Sequence, residues 1–416
     1  MRRTIIIGGG AAGMAAAIAA AQAGEKVTVL DRNRKVLKKL AVTGNGRGNL
    51  LNCGTPEYYG DTVFAHAVLA HMPYERVAAF LEDCGIPLVE EAEGRMYPAS
   101  FLASSAVDAL KLRADQLGVD IAVNTRVAEI SAQPRGGFLL RCLRSVYAED
   151  AKRKSGKAKP GALLGEEPCE YRADRVILAV GGAAAPMHGT DGSSYGLFTS
   201  MGHQLEAVHP ALCALTTQKA PISGLAGQRV RGRFLLENAN GQLLHESVGE
   251  ALFADDGVSG IAVMQLSRFA REGCTLHMDL RLSVMGDAEA DAEAWLLRRA
   301  AQHAEPYQLL TGACTPALAQ ALWRMSSQTP SLKPEALGKL AHAIAHFRLP
   351  VVGTRGFESA QVTAGGIRCD FDPATMESRL CPGLYAAGEA LNVDGGCGGH
   401  NLMFAFASGL LSGGMR

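Results

Sequence analysis

The sequence predicts an α/β protein whose two ends build one domain, with a β-rich module and a helical module inserted between them. Three observations predict this. An apolar run, Ile5-Ile6-Ile7, meets Gly8-x-Gly10-x-x-Gly13, then the small-residue stretch Met14 to Ala23, then a second apolar run ending on Asp31. Near the other terminus, Leu384-Tyr-Ala-Ala387 runs into Gly388-Glu389, with a further helix to follow. Between the two, the pattern is strand-like at about 191–285 and helical from 287 to 346.

The first element is the strand–turn–helix–strand unit that grips the ADP half of a dinucleotide. Gly8 permits the tight turn, Gly10 lets backbone approach the pyrophosphate, and Gly13 lets helix pack on strand. The helix opens at Ala11 and Ala12, and its positive end is the expected diphosphate seat. Asp31 stands 18 residues beyond Gly13, close to the spacing of about 20 for a carboxylate that accepts a ribose hydroxyl. Arg32 is a candidate beside it.

A signal peptide is the competing reading of Met1-Arg2-Arg3 and the apolar residues after it. Three glycines at this spacing have no use in such a segment. The ten cysteines form no CxxC pair, so no disulfide framework, zinc site or iron–sulfur site is expected. No other stretch is long and apolar enough for a membrane span, and the expectation is a cytoplasmic protein. Acidic and basic residues balance at 41 each, which leaves no excess charge to attract nucleic acid or anionic lipid. With 416 residues, 48% of them hydrophobic, the chain has enough core for two or three domains. The expected division is 1–190 with 358–416, 191–285 with 346–357, and a helical subdomain at 286–345.

Further along, Lys38-Lys39 leads to the polar loop Thr43-Gly44-Asn45-Gly46-Arg47-Gly48-Asn49. Helices are expected over 62–83 and 103–117, the latter with Leu110, Ala114 and Leu117 on one face. Strands follow at Val119–Val123 and Val127–Ile130, and Val127 would pass near an adenine. Phe138–Val146 and Tyr171–Leu178 read as strands around an insertion, Glu149 to Pro168, whose Lys152, Arg153, Lys154, Lys157 and Lys159 suggest a solvated hairpin tip. Val176–Val180 then meets a second glycine turn, Gly181-Gly182. Arg229–Glu237 and Cys274–Leu280 are candidate strands. Helices are expected at 287–303, 316–326 and 334–346, with Trp295 and Trp323 as core anchors. Val362–Ile367 returns to strand, and the last helix starts at about Leu402.

The order of elements resembles two-dinucleotide-binding-type flavoproteins, in which a Gly-Asp or Gly-Glu at this point offers its carboxylate to the ribitol of FAD. The resemblance implies that role for Gly388-Glu389, and the glycine run Gly395 to Gly399 suits a backbone that approaches the flavin's pyrimidine edge. Finding both halves in order separates FAD from NAD as the resident cofactor. Asn401 reads equally as a plain helix cap.

The chain resembles a bacterial family of NAD(P)/FAD-dependent oxidoreductases that includes BaiN-like 3-dehydro-bile-acid reductases and aminoacetone oxidase. The likeness rests on Lys38-Lys39-x-x-x-Thr43-Gly44-Asn45-Gly46-Arg47-x-Asn49, Ala360-Gln361-Val-Thr-Ala-Gly365-Gly366, Asp372-Pro373-x-Thr375-Met376-Glu377-Ser378, Gly383-Leu-Tyr-x-Ala-Gly388-Glu389 and Asp394-Gly395-x-Cys397-Gly398-Gly399-x-Asn401-Leu402. It covers nearly the whole chain. It implies a discontinuous Rossmann-like FAD-binding domain, an inserted β-barrel-like domain and a helical subdomain. The chain departs from the family at Gly48 (usually Cys), His400 (usually Tyr), Met403-Phe404 (usually Gln-Trp), Ile261 (usually Pro) and Ala254 (usually Thr).

For catalysis, His400 reads either as a proton donor beside the flavin or as a packing neighbour of the helix start. Tyr195 is a further donor candidate, and Cys397 reads as a thiol or as a packed small residue. Lys39 and Arg47 are expected at cofactor phosphate or ribose. The implied function is reduction of an activated C=C in a small steroid-like or bile-acid-like enone. NADH or NADPH would visit transiently, because no second Gly-x-Gly-x-x-Gly follows a strand. Two alternatives stand beside it: an oxidase of a small amine, and an RNA-binding or RNA-modifying flavoprotein.

Overall fold

The computed structural model describes residues 1–148, 161–327 and 329–416, so the expected basic tip at 152–159 lies outside the described residues. The chain forms two compact units, Met1–His209 with Val362–Arg416, and Pro210–Gln361.

The first unit is built on β1 (Arg3–Ile7), α1 (Ala11–Gln22), β2 (Lys26–Leu30), β3 (Asp120–Ala122), β4 (Arg175–Leu178), β5 (Leu384–Ala386) and α2 (His400–Ser412). Its sheet runs β5-β4-β1-β2-β3, every pairing parallel. Such strands are covered on both faces and read as unbroken apolar runs; Ile5, Ile6, Ile7, Val176, Ile177 and Leu178 are all buried. The small residues of α1 serve close packing, since a Cβ at Gly409 of α2 would overlap the carbonyl oxygen of Ala12. A separate antiparallel sheet joins Thr125–Ala132, Phe138–Tyr147 and Leu163–Ala173.

Several boundaries depart from expectation. The helix over 62–83 is two, Thr62–His71 and Tyr74–Asp83, because Pro73 cannot continue the first and starts the second. The strand at Tyr171–Leu178 is also two. Leu163–Ala173 joins the antiparallel sheet and β4 the parallel one, with Asp174 as the corner. Thus β4 stops at Leu178, short of Val180. The last helix begins at His400, two residues early, and its cap is Gly399 (φ +106) and not Asn401.

The second unit closes a six-stranded barrel from Leu215–Thr217, Gly257–Ser259, Leu243–Ala254, Arg229–Glu237, Thr275–Asp279 and Phe347–Thr354. Three helices, Ala292–Ala300, Pro316–Met325 and Pro334–Ala345, share its hydrophobic core. Asp291 and Thr315 cap the first two by accepting from Ala294 and Leu318 backbone N–H groups at 3.0 and 3.3 Å. Trp323 is buried as expected, whereas Trp295 is only half-buried beneath the Arg299 guanidinium.

Candidate functional site

β2 and β3 lie on one side of β1, and β4 and β5 on the other, so the sheet changes direction between β1 and β4. Ligands of open parallel sheets bind at the carboxyl ends of the strands beside such a point. The glycine turn sits there. A Cβ at Gly13 would overlap the Gly8 carbonyl oxygen, and one at Gly8 would overlap that of Ala179 at the end of β4. A Cβ on Gly10 would meet nothing within 4 Å. Gly10 also starts α1 without a side-chain cap, which leaves the first-turn N–H groups of Ala11 and its neighbours as donors. This open, uncapped cradle fits a diphosphate.

Asp31 is buried at the end of β2. Its Oδ2 accepts from Gly9 N at 2.7 Å, and its Oδ1 accepts from Asn33 N and Nδ2 at 2.7 and 2.9 Å. The carboxylate thereby holds the glycine turn at its height. Backbone bonds from Thr125 N to Asp31 O and from Asn124 N to Asn33 O bring the start of the Val127 strand alongside. Arg32 turns elsewhere: it pairs with Asp191 at 2.9 Å and donates to Gly189 O at 2.9 Å.

Glu389, just beyond β5, gathers residues from three separate segments. Lys39 Nζ donates to its Oε2 at 2.9 Å. Thr363 donates to Oε1 through both its backbone N and its hydroxyl, each at 3.0 Å. The same hydroxyl accepts from Ala183 N and Ala184 N at 2.8 and 3.0 Å. At Gly182 a Cβ would overlap Thr363 Oγ1 and sit 2.8 Å from Glu389 Oε1, and at Gly388 one would sit 2.9 Å from the Ala12 Cβ. Gly181 turns the chain at φ +73. Tyr195 is buried with no partner for its hydroxyl. Burial, and then the charge of Glu389, push its pKa upward, so it stays a neutral O–H donor.

The loop over 40–49 is held internally. Thr43 Oγ1 donates to Leu40 O at 2.8 Å, and Gly44, Asn45 and Gly46 all take positive φ. Arg47 is committed to Glu91 at 2.6 Å and lies over the Tyr97 and Phe101 rings; phosphate would have to compete with that pair. Asn49 Oδ1 is buried without a partner, and a Cβ on Gly399 would sit 2.9 Å from it. Gly398 O accepts from Asn52 Nδ2 at 2.8 Å.

Asn401 closes the preceding turn, accepting from Gly395 N and donating to Gly395 O, both at 2.8 Å, and Leu402 beside it is half-buried. The α2 N-terminus has no side-chain cap. His400 is buried edge-on to Tyr58, whose hydroxyl donates to the His400 carbonyl at 2.8 Å. Burial lowers its pKa, with Glu57 opposing, and burial raises that of the Cys397 thiol. Both are neutral at neutral pH.

The structure thus gathers Gly8, Gly10, Gly13, Asp31, Lys39, Gly181, Gly182, Gly388 and Glu389 at the strand ends, and Asn49, Gly398, Gly399, Asn401 and Leu402 at the start of α2. Sequence reasoning missed Thr363 and Asn33. Thr363 stood inside the Ala360–Gly366 motif at the start of the expected strand Val362–Ile367, and that placement was the available signal. Among the described residues no His/Cys/Asp/Glu group could hold a metal ion, and no helix is long and apolar enough to cross a membrane.

Fold and cradle together define a Rossmann-type dinucleotide-binding domain, and the family and relatives that follow make the chain an FAD-dependent oxidoreductase. The chain belongs to the HI0933-like protein Rossmann domain family, whose model matches residues 2–415. It is 35% identical to the 3-dehydro-bile acid delta(4,6)-reductase of Clostridium scindens, over 99% of this chain and 98% of that one. It is 27% identical to the ribosomal RNA dihydrouridine synthase of Escherichia coli, over 97% and 95% respectively. Among solved structures, a 3-ketosteroid delta1-dehydrogenase of Sterolibacterium denitrificans covers 100% of this chain and 99% of its own at 14% identity, with a TM-score of 0.49.

Proposed function

We propose that this protein is an FAD-dependent reductase that saturates a C=C conjugated to a carbonyl, with a steroid-like or bile-acid-like enone as substrate and NADH or NADPH as the electron source. The single observation that carries the reading is the 35% relative, similar over 99% of the chain, which is named as a delta(4,6)-reductase of a 3-dehydro bile acid. Conjugation to a carbonyl makes the β-carbon electrophilic, so hydride adds there and a proton completes the saturation at the α-carbon. Bound FAD supplies the two-electron carrier for that hydride.

In this reading the Gly8–Gly13 turn and the start of α1 receive the diphosphate. Asp31 accepts a ribose hydroxyl while Gly9 and Asn33 hold it in place. Glu389 accepts a ribityl hydroxyl, and Lys39 offsets its charge. Gly398 and Gly399, at the uncapped start of α2, would hold the flavin end of the cofactor, where the α2 dipole would favour negative charge.

A second reading shares the chemistry. Uridine also carries a ring C=C conjugated to a carbonyl, and the 27% relative is named for reducing it in ribosomal RNA. The balanced charge of this chain favours the small substrate.

The test is anaerobic reduction of the flavin-loaded protein by NADH or NADPH, then mixing with a 3-oxo-4,6-diene steroid, with ribosomal RNA, or with air. Fast reoxidation by the steroid alone supports the proposal. Reoxidation by RNA alone moves the assignment to the second reading, and reoxidation by air alone to an oxidase.

A further inference from the structure

We propose that Thr363 is the positioning residue of the cofactor cradle, aiming the Glu389 carboxylate and fixing the Gly181–Ala184 turn through one hydroxyl. The inference rests on the FAD reading above. Thr363 is completely buried. A threonine hydroxyl has one proton and two lone pairs, and here all three are used: one bond to Glu389, one from Ala183 N and one from Ala184 N.

Counting acceptors on Glu389 states what it can bind. Oε1 receives the Thr363 N–H and hydroxyl, which fills both of its lone pairs. Oε2 receives the Lys39 ammonium and keeps one lone pair. The carboxylate thus has room for one further donor, and its orientation is set by Thr363 on one side and Lys39 on the other. A phosphate oxygen has no proton to offer there, whereas an alcohol has. The ligand group met at Glu389 is therefore a hydrogen-bond donor, which on the FAD reading is a ribityl hydroxyl. Its placement depends on a carboxylate that cannot turn, and small misplacements of such a group are costly.

The experiment compares Thr363→Val and Thr363→Ser in the full chain, with FAD removed and then titrated back, and with ADP titrated in parallel. ADP reaches the Gly8–Gly13 turn and Asp31 but has no ribityl chain. Thr363→Val is expected to raise the FAD Kd about tenfold, the effect of losing one well-placed bond, while the ADP Kd stays put. Thr363→Ser keeps the hydroxyl and is expected to bind both ligands as the unmodified chain does.

An unchanged FAD Kd in Thr363→Val overturns the inference. Equal weakening of FAD and ADP does so too, because it marks a role in holding the fold. If Thr363→Val does not fold, the smaller Thr363→Ala carries the test, because it removes the same hydroxyl from Glu389, Ala183 and Ala184. It is expected to loosen FAD and not ADP, and no loosening of FAD overturns the inference. An unmodified chain that binds ADP but not FAD strikes the FAD reading itself.

Discussion

At Asp31 one carboxylate both supports the glycine turn and is the proposed acceptor of a ribose hydroxyl. Hydrogen bonds to a charged group contribute about 1.5–3 kcal/mol, or roughly ten- to a hundredfold in affinity. Asp31→Ala is accordingly expected to weaken FAD and ADP alike by about that factor. It also leaves Gly9 N–H without its acceptor, so the thermal midpoint of the ligand-free protein falls as well. Unchanged FAD and ADP affinities in a titration would place the N-terminal reading elsewhere. His400 poses the opposite question. Burial disfavours its charged form, so above its ordinary pKa of about 6.5 it is a neutral imidazole and not a proton reservoir. Turnover of His400→Phe is expected to follow the same pH profile as the unmodified protein between about pH 6.5 and 8. A limb present in one and missing in the other would make His400 a titrating catalytic group.

Between elements, two devices decide how the first unit closes. Arg175, at the start of β4, is buried and donates to both Glu25 oxygens at 3.3 Å and to the Ser412 carbonyl at the end of α2, with its guanidinium 4.0 Å from the Tyr385 ring centroid. Removing one partner of a buried pair costs about 3–5 kcal/mol, because the other charge remains. Glu25 is half-buried and retains Arg2 at 3.5 Å and the Thr4 hydroxyl. Arg175→Met is therefore expected to lose less than that, about 1–3 kcal/mol, in urea unfolding. A loss below about 1 kcal/mol would mean that Arg2, Thr4 and water satisfy Glu25 unaided. The α1–α2 contact offers a contest of magnitudes. Alanine in a helix gains about 1 kcal/mol over glycine, but a Cβ at Gly409 overlaps Ala12 O, and overpacking costs about 1–3 kcal/mol. Overlap with fixed backbone outweighs propensity, so Gly409→Ala is expected to lower the thermal midpoint. A raised midpoint would show that the two helices separate freely at that point.

Over the whole molecule, what was legible in the sequence followed chain distance. The β1–α1–β2 unit and the Gly388-Glu389 turn could be read because each carries its pattern within a few dozen residues. Thr363 with Ala183, and Arg175 with Ser412, could not, because partners 180 and 237 residues apart leave no periodic trace. The same limit hid the corner at Asp174, where one apolar run serves two sheets. Burial, equally invisible in composition, also sets how the folded protein answers acid. His203 and His400 in the first unit and His346 in the second all have pKa values lowered, each chiefly by burial. His346 is depressed further by His277 and His342, whose rings lie 4.9 and 4.4 Å from it. A histidine depressed on folding binds its proton more readily in the unfolded chain, so acid favours unfolding. Its contribution is complete above about pH 6.5 and is lost as pH falls from there through the lower folded value. The carboxylates with lowered values, Asp174, Asp191, Asp256 and Glu129, act in the same direction but only below about pH 4, and they are mostly exposed. The two windows therefore separate. The urea midpoint is expected to rise between about pH 5 and 6.5 and to level off by about pH 7.5, with the slope between pH 5 and 6.5 reduced in His203→Phe and in His346→Asn. A midpoint already flat from pH 5, with all loss below pH 4, would show that the three imidazoles reach water or a partner when charged and that the carboxylates alone set acid stability.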